Sequence, residues 1–149
     1  MLIREMEEFV NISARNVLPG TVQAVTKGAV NGEVMLALQG GEEIVSIITN
    51  GSVDSLQLAQ GKKAFAVIKA SDVMSGKGLE GAKLSARNVL PAVVSRLDPG
   101  AVNSEVQVSL AGRTVVVASI TKSSVEALGL KVGDKVSAIV KASHVMIGT

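Results

Sequence analysis

Ser13-Ala-Arg-Asn-Val-Leu-Pro19 returns letter for letter as Ser85-Ala-Arg-Asn-Val-Leu-Pro91, 72 residues further on (85 − 13). The offset holds without a gap to the C-terminus. Gly28-Ala-Val-Asn31 answers Gly100-Ala-Val-Asn103, Ile48-Thr49 answers Ile120-Thr121, and Lys69-Ala-Ser71 answers Lys141-Ala-Ser143. Pairing residues 10–77 with 82–149 gives 32 identities in 68 pairs, the mark of a tandem duplication. Such a repeat makes the chain two small modules rather than one domain. We place the first module at 1–76, a glycine-rich linker at 77–81 and the second module at 82–149.

The periodicity within each copy is that of strands. Glu105–Leu110 alternates polar and apolar residues, the pattern of a half-buried strand. Thr114–Ile120 is a short β-branched run that fits a strand covered on both faces, Lys135–Lys141 is another strand, and Val93–Leu97 belongs to a fourth. Their counterparts are Glu33–Leu38, Glu43–Ile48, Lys63–Lys69 and Val22–Val25. Only Ser124–Leu130, with Ser52–Leu58 in the first copy, reads as helix. Ser123 and Glu126 form a candidate capping box for it, and Gly129 or Gly133 a stop. Turns are marked by Asn31-Gly32, Gly40-Gly41 and Asp98-Pro99-Gly100. The expected fold is all-β: two tandem OB-like barrels, each with one short helix and in contact with the other.

Modules of about 68 residues lie near the lower limit for independent folding and usually need reinforcement. Cysteine is absent, so disulfides and thiolate metal sites are excluded, and the lone His144 aligns with Asp72 rather than with a second histidine. Association remains, and 47% apolar residues with a mean hydropathy of +0.41 suit subunit interfaces. No run approaches the roughly 18 apolar residues of a membrane span, and the acidic start Met1–Glu8 lacks a signal-peptide core. We therefore expect a cytoplasmic protein, in which the Asn11 and Asn50 sequons carry no weight. A net charge of +2 is only mildly basic. There is no Trp or Tyr, and Phe9 and Phe65 do not recur between copies, which argues against stacking on single-stranded nucleic acid.

What the copies share is chemistry suited to a small oxyanion. Arg15 and Arg87 offer a planar fork of donors. Ser13 and Ser85 stand two residues earlier, on the same face if the segment is extended. Ala14 and Ala86, between them, belong to the same candidate set, and Asn16 and Asn88 either donate a further bond or brace the turn. Lys69-Ala70-Ser71 and Lys141-Ala142-Ser143 end a strand with small residues that let backbone N–H groups reach an anion. Thr49 with Ser52, and Thr121 with Ser124, stand at a helix start, where free N–H groups favour anions. The plainer alternatives are surface salt bridges for the arginines, a solvated strand end for the lysines and helix capping for the hydroxyls. Asn31-Gly-Glu33 and Asn103-Ser-Glu105 recur within Val-Asn-x-Glu-Val and read mainly as a turn, with anion contact the lesser alternative. Gly76–Gly81 begins like a phosphate loop, but Ala82 stands where its lysine belongs. No nucleophile–base pair or catalytic carboxylate pair is evident, so the chain does not read as an enzyme.

These motifs, in this order, resemble those of the molbindin (Mop) domain: Ser-Ala-Arg-Asn-x-Leu, Val-Asn-x-Glu-Val, Ile-Thr-x-x-Ser-Val and Lys-Ala-Ser-x-Val-Met. The resemblance spans both copies. It implies molybdate or tungstate binding for storage or homeostasis, with no further cofactor, no directly coordinated metal cation and assembly as a homotrimer. The same resemblance places the anion on Ser13, Arg15, Lys69 and Ala70, and on Ser85, Arg87, Lys141 and Ala142, with Thr49, Ser52, Thr121 and Ser124 as helix-start contacts. No DNA-binding helix-turn-helix or ATPase accompanies the repeats, and Met1 followed by two full copies reads as a whole protein. A ligand-responsive module acting on a partner protein is the alternative. Pro19 and Pro91 depart from the family pattern and each remove a backbone donor beside the heptad.

Overall fold

The structure, a computed structural model, describes residues 12–149. The acidic start, Phe9 and the Asn11 sequon lie outside the described residues. Among the described residues ten strands run β1 (Asn16–Lys27), β2 (Asn31–Leu38), β3 (Glu43–Thr49), β4 (Lys63–Ile68), β5 (Met74–Gly76), β6 (Asn88–Asp98), β7 (Asn103–Leu110), β8 (Val115–Thr121), β9 (Lys135–Val140) and β10 (Met146–Gly148). Two short helices, α1 (Asn50–Ser55) and α2 (Lys122–Leu128), follow β3 and β8.

The strands form two five-stranded antiparallel sheets that exchange a strand. One sheet has the order β10-β4-β1-β2-β3 and the other β5-β9-β6-β7-β8. Thus β5, from the first copy, pairs with β9 of the second through Met74↔Ile139, and β10 returns to β4 through Met146↔Val67. Sequence periodicity found the four local strands of each copy but not this fifth, which is three residues long and belongs to the opposite module.

β1 and β6 are longer than Val22–Val25 and Val93–Leu97 because each begins inside the duplicated heptad, at Asn16 and Asn88. Pro19 and Pro91 are tolerated there. Each faces its β4 or β9 partner (Phe65, Ser137), and pairing with β2 or β7 begins only one residue later, at Gly20 and Ala92. A bulge at the same place in both, after Val22 and Val94, bends the long strand so that one strand serves both sides of the curled sheet. Alternation along β2 and β7 buries Val34, Leu36 and Leu38, and Val106, Val108 and Leu110, at the centre of the core.

The helices begin two residues earlier than expected, and the capping box does not form. Thr121, not Ser123, caps α2, its Oγ1 accepting from Ser124 N at 3.1 Å; Thr49 does the same from Ser52 N at 3.0 Å. The Cβ-branched hydroxyl at an extended position just past the strand reaches the free N–H first. Gly129 closes α2 in the left-handed conformation (φ 59°), as the sequence suggested.

Candidate functional site

Both copies carry the heptad arginine and asparagine, and the turn after the Lys-Ala step, to the seam between modules. The heptad start is bent at Ser13 and Arg15, and again at Ser85 and Arg87, so the same-face argument from an extended chain does not apply. The strand begins at the asparagine, and there the polar side chain is almost fully buried (1% exposed for Asn16, 2% for Asn88). Asn16 Nδ2 donates to Val117 O at 2.8 Å and its Oδ1 accepts from Val117 N at 2.7 Å. Asn88 makes the mirror pairing with Val45 O and N, both at 2.8 Å. Val117 and Val45 lie on β8 and β3, which end their sheets, so the amides fasten to open strand edges of the opposite module.

One residue earlier, each arginine reaches across the same seam. Arg87 donates from Nη1 and Nη2 to Glu33 Oε2 and Oε1 at 3.0 and 2.9 Å, a bidentate pair. Arg15 Nη1 lies 2.7 Å from Glu105 Oε1. The hydrogen bond from Arg87, aided by its charge, holds the Glu33 carboxyl below the usual range and raises Arg87 in turn. Both guanidinium groups stay about half exposed (52% and 48%), so these pairs are solvent-screened.

The lysine segments come to the same place. Ala70–Asp72 and Ala142–His144 form single 3-10 turns that pack on β8 and β3 of the opposite module. Asp72 N and His144 N donate to Lys69 O and Lys141 O at 2.9 Å, which leaves the N–H groups of Ala70, Ser71, Ala142 and Ser143 at the turn's open start. Lys69 and Lys141 are exposed. In the β7–β8 register Glu105 faces Ser119, two residues from the Asn103–Thr121 pair. The first copy's Arg15 and Ala70–Asp72 therefore reach the β7–β8 pair, which ends at Asn103–Thr121. The second copy's Arg87 and Ala142–His144 reach the β2–β3 pair, which ends at Asn31–Thr49. The threonine hydroxyls themselves are engaged in capping.

Two further ties were not legible in the sequence because they break the repeat. Glu42 Oε1 accepts from Gly112 N at 2.6 Å, where the second copy has Thr114. Ser46 Oγ donates to Val145 O at 2.5 Å, where the second copy has Ala118. Gly40 and Gly112 meet so closely that a Cβ on Gly40 would stand 2.6 Å from Gly112 Cα. The unpaired histidine also falls at this seam, with Nδ1 3.6 Å from Asp72, its own repeat equivalent. Where the start of the first module meets Gly112–Val117, a cleft of about 770 Å³ opens, lined by Arg15, Asn16, Gln39, Arg113 and Thr114 over Val17, Leu18 and Val115.

Two OB-like barrels that trade a strand and gather duplicated cationic segments at their seam define a tandem β-barrel protein. The chain belongs to the TOBE domain family, which matches residues 12–75 and again 84–147. It is 43% identical over 135 residues to the molybdenum-pterin-binding protein MopA of Rhodobacter capsulatus, covering 91% of this chain and 51% of MopA. It is 38% identical over 146 residues to the molybdenum transport protein ModE of Herbaspirillum seropedicae, covering 98% of this chain and 54% of ModE. The chain thus spans about half the length of these curated relatives. A crystal structure of the cytoplasmic molybdate-binding protein ModG, with molybdate bound, superposes with a TM-score of 0.91 at 46% identity, covering 94% of this chain and 99% of that one.

Proposed function

We propose that the chain binds molybdate or tungstate in the cytoplasm, for storage or homeostasis, and that it carries out no catalysis. The observation that carries the reading is that in both copies the heptad arginine and the turn after Lys-Ala reach the opposite module, in a chain that matches ModG over 94% of its length. Each repeat, 1–76 and 82–149 about the linker 77–81, acts as one half of two composite sites. Arg15 or Arg87 supplies charge-assisted bonds, and the open N–H groups at Ala70-Ser71 or Ala142-Ser143 spread the anion's charge. Lys69 and Lys141 neutralise it, Ser13, Ser85, Ser52 and Ser124 supply hydroxyls, and Asn16, Asn88, Thr49 and Thr121 hold the framework. Exposed Leu84, Val89, Val93 and Val115 support assembly into a homo-oligomer, a trimer by family resemblance, which adds donors from neighbouring subunits.

Sulfate is also a tetrahedral dianion, so discrimination rests on cavity size. A thousandfold preference needs only about 4 kcal/mol, the worth of a few hydrogen bonds stretched by the smaller ion. Titration calorimetry with molybdate, tungstate and sulfate on oxyanion-free protein tests the reading. Saturable heat for the first two and little for sulfate is expected, and equal heat for sulfate defeats the selectivity claim. The likeness to ModE favours one second reading, a ligand-responsive module that acts on a partner. Molybdate-dependent capture of a partner protein would distinguish it.

A further inference from the structure

The repeated Val-Asn-x-Glu-Val segment takes no part in the oxyanion reading above, yet in both copies it delivers a carboxylate to a candidate arginine of the opposite module. We propose that Glu33 and Glu105 are tethered counter-anions that set the affinity of the two arginine sites, each leaving its guanidinium when an oxyanion takes both donors. The inference rests on the oxyanion reading.

The geometry is that of a competitor. Arg87 spends Nη1 and Nη2 on the two Glu33 oxygens at 3.0 and 2.9 Å, the same parallel pair of N–H groups that a tetrahedral oxyanion engages. A dianion placed beside an undisplaced carboxylate would meet like-charge repulsion at short range, so sharing the fork is disfavoured. The pair is also one that can open. The Arg87 and Glu33 side chains are 48% and 37% exposed, and screened pairs of this kind hold only weakly. Because Glu33 is carried on the opposite module of the same chain, it competes as an intramolecular ligand whatever the protein concentration. Free anion must exceed that competition.

The repeat supports a role for the carboxylate beyond the turn. Glu33 and Glu105 are kept within the repeated Val-Asn-x-Glu-Val block, where only Gly32 against Ser104 differs, and both carboxylates meet an arginine of the opposite module. The two pairs also differ in geometry: Glu33 engages Arg87 through two bonds, whereas Glu105 meets Arg15 through one contact at 2.7 Å. The Arg87 site is accordingly the more strongly held in check.

Molybdate calorimetry on the oxyanion-free full chain tests this with Glu33→Gln, Glu105→Gln, Arg15→Ala and Arg87→Ala. The glutamine variants should bind molybdate about three- to tenfold more tightly than the parent, Glu33→Gln gaining more, while the alanine variants lose sites. Affinity unchanged or lowered in both glutamine variants, with the arginine effect intact, overturns the proposal and leaves the oxyanion reading standing. A parent with no molybdate heat, or arginine variants that bind as it does, overturns both. Should a glutamine variant fail to fold, carbon NMR of the parent's glutamate carboxyls gives the answer. Molybdate should move the Glu33 and Glu105 signals toward their positions in the arginine variants, and binding without that movement overturns the proposal.

Discussion

The Asn88 side chain pairs with Val45 as a strand would, donating to its carbonyl and accepting from its N–H, both at 2.8 Å. A single buried amide thus closes an open sheet edge and joins the modules at once.

Asn88→Ala leaves two buried backbone groups without partners, so it should cost about 2–4 kcal/mol in urea unfolding. Asn88→Asp should be at least as damaging, because a carboxylate cannot donate to Val45 O. Losses under about 0.5 kcal/mol for both would show that the amide is dispensable.

Gly40→Ala and Gly112→Ala each place a methyl group into the opposite glycine's backbone. Overpacking of this kind should cost about 1–3 kcal/mol, measured as a lowered denaturant midpoint with an unchanged slope. Unaltered midpoints would mean that the contact yields freely.

Removal of the last four residues deletes β10 from the first module's sheet, although the cut lies in the second copy. Hydrogen exchange should quicken at Phe65–Val67 on β4 and stay slow on β9. The reverse pattern would contradict the strand exchange.

Glu33 is held below the ordinary carboxylate range by Arg87, so its contribution to stability is present above that range and is lost as pH falls through the lowered value. Arg87→Ala should return Glu33 toward an ordinary pKa, read by NMR titration, and flatten the acid limb of the melting-temperature profile. An unmoved Glu33 titration would exclude the pairing in solution. Asp134, lowered first by its bond from Lys77 and then by Lys131 N, should respond likewise to Lys77→Ala.

What was legible in the sequence was whatever the repeat kept and whatever alternation records. The core strands β2 and β7 and the helix positions within two residues followed from pattern. Strand exchange did not, because three residues at Met74–Gly76 bear no period that tells which sheet they join. Asn16 and Asn88 looked equally apt for a ligand or a turn, and only their burial against a strand edge separates structural pairing from ligand contact. The Glu33–Arg87 pair lies 54 residues apart, with nothing local to join its members.

Because each sheet completes itself with a strand from the other copy, one repeat standing alone would have to borrow that strand from a second molecule. Its folded fraction would then depend on how much of it a cell holds. Fusing two copies into one polypeptide frees folding from dilution, so this chain could keep its architecture when it is scarce.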